Sequence, residues 1–195
     1  YLFQQISLVL IKLFSDLVLT ASEKDTKLFN NAIAIRGGVD FKQIKKIKNI
    51  GKKYDVVYFG RFHSQKGLMD LLDIWQKIYK KRPSTSFLMA GTGPLEEEII
   101  TKAKKIKIFD RITFTGLLSG AKKYKILKRC RLFTSASRFD TGNMALDETL
   151  ACGVPGIVYD LEHLNYPQGV IKVPVGNNNR MVRETISLLN NIIII

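Results

Sequence analysis

The run Gly60-Arg61-Phe62-His63-Ser64-Gln65-Lys66-Gly67 puts two cations, Arg61 and Lys66, beside the start of a helix. Gly60 lets the backbone turn tightly, and the free amides of a helix N-terminus already favour an anion. A guanidinium, an ammonium and those amides together suit a diphosphate. The same two residues read equally well as surface cations, in a chain where 31 of 195 residues are Lys or Arg. A second run, Ser137-Arg138-Phe139-Asp140-Thr141-Gly142-Asn143-Met144-Ala145-Leu146-Asp147-Glu148, is a Gly-containing turn leading into a helix. With Met144 in the first turn, Glu148 sits one turn later on the same face. Carboxylates suit vicinal diols, so Asp140 and Glu148 beside cations could bind hydroxyls. A helix-cap role for Asp140 fits the bare pattern as well.

Two other runs are weaker. Gly91-Thr92-Gly93-Pro94 lacks the third glycine of a dinucleotide loop, since Glu96 stands there, and it does not follow the first strand. It reads as a strand-to-helix turn. Asp160-Leu161-Glu162-His163 mimics an acidic metal triplet, but a lone stretch at a strand end reads as a polar loop, and no metal is expected. His63 reads as a solvated loop histidine.

The elements that must position these residues are visible from Asp55 onward. Short apolar runs bounded by Gly or Ser read as buried strands at Val56–Gly60, Ser86–Gly91, Ile112–Gly116, Leu132–Ser137 and Gly156–Asp160. Between them the spacing is helical: Leu68, Leu71, Leu72 and Trp75 mark one buried face, ended by Arg82-Pro83. Pro94 opens the next helix, with Glu96, Glu97 and Glu98 in its first turn and Leu95, Ile99 and Ile100 on its apolar side. Strands alternating with helices, without hairpin signals, indicate a parallel sheet covered on both faces. The fold class is α/β, a Rossmann-like doubly wound parallel sheet, with ligands expected outside the carboxyl ends of the strands.

Residues 1–40 read as a helix over Ile6–Phe14, a strand over Leu17–Ala21, a helix over Ser22–Phe29 and a strand over Ala32–Ile35. Such a piece cannot make its own sheet core. Exposed apolar surface is therefore expected over residues 1–35, covered by self-association or by a partner. The segment 41–54, with Lys42, Lys45, Lys46, Lys48, Lys52 and Lys53, reads as a basic solvated linker, and 55–195 as the Rossmann-like domain. Asn190–Ile195 reads as a frayed end. A chain opening Tyr1-Leu2-Phe3, without Met, is expected to be part of a longer or processed product.

Composition narrows the classes. Apolar residues make up 46% and charged residues 25%, which is globular rather than disordered. Cys130 and Cys152 exclude a disulfide framework and show no metal-ligand spacing, so a cytoplasmic setting is expected. The longest apolar stretch, Tyr1 to Phe14, contains Gln4, Gln5 and Lys12 and falls short of the roughly 20 residues of a membrane span.

Six motifs, taken in order, resemble the group 1 glycosyltransferases, retaining enzymes of the GT-B fold with two Rossmann-like domains facing each other across a cleft. The residues are Gly60-Arg61-(x)4-Lys66-Gly67, Met89-Ala90-Gly91-Thr92-Gly93-Pro94, Ile112-Thr113-Phe114-Thr115-Gly116 and Glu148-(x)3-Cys152-Gly153-Val154-Pro155. Ser15-Asp16-Leu17 to Ser22, and Ile35-Arg36-Gly37-Gly38-Val39-Asp40, resemble the family's last N-domain strands and its crossover. Residues 1–40 would then be a remnant of the N-terminal domain.

The resemblance implies a nucleotide-sugar donor, a UDP- or GDP-sugar, bound by the C-terminal domain. Arg61 and Lys66 would hold the diphosphate, with Gly60 at the turn. Glu148 would take the ribose hydroxyls, Leu118 would lie against the nucleobase, and Met144 would contact the donor near the phosphates. The family has two glutamates separated by seven residues; here Asp140 takes the first place, against the transferred sugar. Asn143 stands where the family often has glycine. The catalytic set is Arg61, Lys66 and Asp140, with the cations stabilising the departing diphosphate. No cofactor beyond the donor is implied, and the acceptor is a glycan or a lipid-linked sugar.

Charge supplies the rival reading. A formal net charge of +14 and a pI near 9.8 suit a basic nucleic-acid- or anionic-membrane-binding α/β module without catalysis. Nucleic acid is disfavoured, because the basic residues are scattered along the sequence without an aromatic-interleaved stripe. An anionic membrane surface fits a peripheral protein with a lipid-linked acceptor.

Overall fold

Near its start the chain forms α1 (Leu2–Phe14), then two three-residue strands, β1 (Val18–Thr20) and β2 (Ala32–Ala34), paired parallel in a sheet of their own. The computed structural model describes residues 2–20, 26–35, 37–49 and 51–191. Residues 22–25, half of the helix expected at Ser22–Phe29, and residues 192–195 of the expected frayed end lie outside the described residues. Leu13, Phe14, Leu19 and Ile33 are more than half exposed, so this small unit does leave apolar surface uncovered among the described residues.

A short helix follows, α2 (Phe41–Lys46), where the sequence suggested only a solvated linker. Asp40 caps it by accepting from the amide of Gln43 at 2.9 Å, and Ile44 is 3% exposed. Lys128 donates to the carbonyls of Ile44 at 2.8 Å and Ile47 at 2.6 Å. A cation thus closes the C-terminal end of a six-residue helix, where unpaired carbonyls gather. Tertiary contacts override a lysine-rich composition here.

The main sheet then builds from β3 (Tyr54–Phe59), α3 (Leu68–Lys81), β4 (Phe87–Ala90), α4 (Glu96–Lys105), β5 (Ile112–Phe114), α5 (Gly120–Leu127), β6 (Cys130–Ser135), α6 (Met144–Ala151) and β7 (Gly156–Tyr159). All five expected strands form. The structure adds β8 (Val170–Val173) and a final helix, α7 (Asn178–Asn191). The spatial order is β5-β4-β3-β6-β7-β8, and every pairing is parallel. From β3 the chain winds outward through β4 and β5, then returns to β6 on the opposite side. The doubly wound, Rossmann-like expectation holds.

Both faces of the sheet are buried. Val56 and Tyr58 face one cluster with Trp75, Phe87 and Met89. Val57 faces the other, with Leu88, Phe133, Leu146 and Val154. The two-residue alternation of a strand feeds two cores at once, which is why the runs read as continuously apolar. Trp75 stacks on Phe87 at 4.8 Å between centroids, and its Nε1 donates to Thr134 Oγ1 at 3.1 Å. That bond anchors α3 across the central strands.

Candidate functional site

The winding reverses between β3 and β6, and at such a switch point the loops leaving the two strand ends part and open a crevice. A cavity of about 420 Å³ lies there. Its wall is formed from Phe59, Gly60 and Arg61 at the end of β3, Lys66 from the first crossover, residues 140–143 from the loop after β6, and Met144, Ala145 and Glu148 on α6. Ile35 and Gly37 close it from the N-terminal side.

Local structure explains how Lys66 reaches this place. Ser64–Lys66 is a single 3-10 turn, and Gly67 after it is left-handed with φ 59°. A Cβ at Gly67 would collide with the carbonyl oxygen of Ala136, so only glycine lets the crossover lie against the end of β6. The loops are then stitched together: the amide of Arg138 donates to the carbonyl of Gln65 at 2.9 Å, and Ser137 Oγ donates to it at 3.2 Å.

Lys66 Nζ donates to Asp140 Oδ2 at 2.7 Å. The other oxygen, Oδ1, accepts from the amides of Asn143 at 3.0 Å and Gly142 at 3.4 Å. Burial alone would raise the Asp140 carboxyl, but the Lys66 hydrogen bond and charge, with those two amides, outweigh it and hold it below its ordinary value. Both Asp140 oxygens are therefore engaged by the protein. His163 Nε2 lies 2.6 Å from the Asp140 carbonyl oxygen, which ties the loop after β7 to the same turn. Asp160, from the acidic triplet, pairs with Lys172 at 3.5 Å instead.

Asn143 precedes α6 in the left-handed region, φ 44° and ψ 48°. Asparagine is among the few side chains that tolerate that conformation, so it can stand where the resemblance leads one to expect glycine. The first turn of α6 opens on the cavity through Met144 and Ala145. Met144 packs so closely on Gly37 that a Cβ there would overlap its Sδ.

Glu148 is 9% exposed, and its Oε1 accepts from Lys123 Nζ and, at 3.2 Å, from the Tyr124 hydroxyl. Burial, then the Glu148 charge, raise the Tyr124 phenol above its ordinary value. Tyr58, at the cavity wall, is likewise raised by burial and by the Asp140 charge, and it donates to the carbonyl of Arg61 at 3.1 Å. That bond holds the turn from which the exposed Arg61 projects.

Gly60, Arg61, Lys66, Asp140, Met144 and Glu148, all singled out from sequence, thus meet in one cavity. Leu118 does not: it is 3% exposed in the second core cluster, while its neighbour Leu117 is 74% exposed. Sequence reasoning missed Lys123 and Tyr58, and it placed Gly37 in the crossover without assigning it to the cavity. A helical lysine and a strand tyrosine give no local signal, and only the Gly37-Gly38 pair marked a special backbone position.

A family model for group 1 glycosyl transferases matches residues 40–171, more than half of the chain. The chain belongs to the group 1 glycosyltransferases. Its relatives in the family include the alpha-monoglucosyldiacylglycerol synthase of Streptococcus pneumoniae, 27% identical over 105 residues, 54% of this chain and 24% of that protein. Another is the GDP-mannose:cellobiosyl-diphosphopolyprenol alpha-mannosyltransferase of Xanthomonas oryzae, 25% identical over 152 residues, 74% of this chain and 40% of that protein. The chain therefore spans less than half the length of these two glycosyltransferases. Among solved structures, a TarM variant of S. aureus, in complex with fondaparinux, alpha-GlcNAc-glycerol and UDP, shares the fold with a TM-score of 0.79. That match is 17% identical and covers 97% of this chain and 40% of TarM. In this glycosyltransferase chain, no helix among the described residues is long and apolar enough to cross a membrane.

Proposed function

We propose that this chain is the donor-binding half of a retaining glycosyltransferase, taking a UDP- or GDP-sugar and serving transfer to a glycan or lipid-linked acceptor. The observation that carries the reading is the meeting of Arg61, Lys66 and Glu148 in one cavity at the switch point. Arg61, Lys66 and the first-turn amides of α6 take the diphosphate and stabilise its charge as the glycosidic bond breaks. Glu148 takes the ribose hydroxyls, and Met144 lines the phosphate end. Asp140 serves the transferred sugar through the turn it holds, since both its oxygens already have partners. The reading needs no metal or cofactor besides the donor. The relatives' names support the donor and acceptor classes: one names GDP-mannose and a diphosphopolyprenol, another a diacylglycerol glycolipid. UDP in the TarM complex supports the alternative nucleotide.

The test is a thermal-shift titration with a panel of UDP- and GDP-sugars on the wild type, Lys66→Ala and Glu148→Ala. Stabilisation of the wild type that is lost in both variants supports the assignment. Equal stabilisation of all three removes it.

A second partner is favoured by two neighbouring basic helices whose segments lack acidic residues. The helices α2 and α5 pack together, and neither 41–54 nor 117–139 contains an Asp or Glu. Lys42, Lys46, Lys122 and Lys125 are exposed on them. We assign these helices to an anionic membrane surface, where each such cation contributes about 1 kcal/mol. Co-sedimentation with phosphatidylglycerol vesicles should be strong at low salt, fade as salt rises, and drop in a Lys42→Glu/Lys46→Glu variant. Retention by RNA but not by vesicles would reverse the assignment.

A further inference from the structure

Glu148 does not hold its carboxylate unaided. Lys123 Nζ donates to Oε1, and the Tyr124 hydroxyl donates to the same oxygen. The ammonium also lies 5.4 Å from the centre of the Phe59 ring and 4.9 Å from that of Tyr124. It is thus enclosed by two aromatic faces and one carboxylate, and only 14% of the Lys123 side chain is exposed. Neither contact uses Oε2. Phe59 and Glu148 line the cavity, whereas Lys123 stands behind them.

Resting on the ribose role proposed for Glu148, we infer that Lys123 is a positioning residue for the donor's pentose. It fixes one carboxylate oxygen so that the other faces the cavity as acceptor for the vicinal hydroxyls, and it does this without touching the nucleotide. The physical reason is the cost of an enclosed charge. An ammonium between two rings and a carboxylate gains charge-assisted hydrogen bonding and cation–π attraction at once, so the pair keeps one geometry. Remove the ammonium and the carboxylate is left enclosed with a single neutral donor, a costly state. Glu148 would then lose the single orientation in which its second oxygen faces the hydroxyls.

The test uses the 195-residue chain and calorimetric titration with UDP and GDP, each compared with its 2′,3′-dideoxy analogue. The ratio of the two affinities reads the hydroxyl contacts alone. In the wild type the natural nucleotide should bind about tenfold more tightly than the analogue. Lys123→Met should erase most of that ratio while leaving analogue affinity essentially unchanged, and Lys123→Arg should restore it. A ratio unchanged in Lys123→Met overturns the inference. So does an equal loss for both nucleotides, because Lys123 would then act through the general field or the fold. Should Lys123→Met not fold, Lys123→Gln, which keeps a neutral donor, is measured in the same way and must lower the ratio. Glu148→Ala separates the two levels: if it keeps the wild-type ratio, the ribose assignment itself fails. If Glu148→Ala loses the ratio while the Lys123 variants keep it, only the positioning role fails.

Discussion

Lys66 and Asp140 are 74 residues apart in sequence, yet Lys66 Nζ donates to Asp140 Oδ2 at 2.7 Å across the cavity mouth. Their side chains are 17% and 13% exposed, so the pair is largely shielded from solvent screening. It joins the crossover after β3 to the loop after β6. An anion arriving at Lys66 meets an ammonium already oriented by a carboxylate.

Acid should weaken this junction. The folded Asp140 carboxyl lies below its ordinary value, so the unfolded chain takes up the proton first. The pair's stabilisation is complete above the unfolded value of about 3.9 and is lost as pH falls through the folded value. Asp140→Asn, which keeps the acceptor for the Asn143 amide, should cost about 1–3 kcal/mol at neutral pH. Melting curves of both proteins at neutral pH and at strongly acid pH check this: the gap must shrink in acid, and a constant gap refutes it.

Asn143 is the second point of leverage. With φ at 44°, it occupies a conformation that glycine adopts freely and most side chains resist. Asn143→Ala should therefore melt lower, by an amount equivalent to about 1 kcal/mol, while Asn143→Gly melts at or above the wild type. The reverse order in calorimetry would mean that side-chain contacts, not backbone strain, decide this position.

Thr134→Val tests the central anchor. The change conserves shape but leaves the buried Trp75 Nε1 without its acceptor, at a cost of about 1–3 kcal/mol. In Trp75→Phe the unsatisfied donor is gone, so adding Thr134→Val to it should cost much less than Thr134→Val alone. Chemical denaturation of the four proteins gives the coupling; additive losses would rule out the hydrogen bond as the cause.

Lys128→Met should loosen α2 while leaving the sheet intact. Two carbonyls at the end of α2 lose their donor. Hydrogen exchange should speed up over residues 41–47 and stay unchanged in β3, β4 and β6. Uniform acceleration through the sheet would show that Lys128 supports the whole domain instead.

The strands from Val56 to Tyr159 were legible because each is a short apolar run closed by Gly or Ser, and burial on both faces leaves little room for polar residues. The loops that carry Arg61, Lys66 and Asp140, and the helix α6 that carries Glu148, were legible because each follows such a strand. In contrast, α2 was hidden: six residues with four polar side chains give no period to read, and within it only Ile44 is buried in the core. At Leu117-Leu118 the sequence offered two adjacent leucines, and the choice of which one is buried belongs to the path of the loop.

By itself the sequence determined the alternation of strands and helices, the winding they imply, and the residue types gathered at the strand ends. These follow from periodicity and turn chemistry within a few residues of each position. Only the tertiary structure decided that Lys66 faces Asp140, that Lys123 braces Glu148 from 25 positions away, and that α2 docks through Lys128. Those contacts depend on which strands lie side by side and how far each loop reaches. Those distances are set by the packed sheet as a whole, and no local pattern of residues records them.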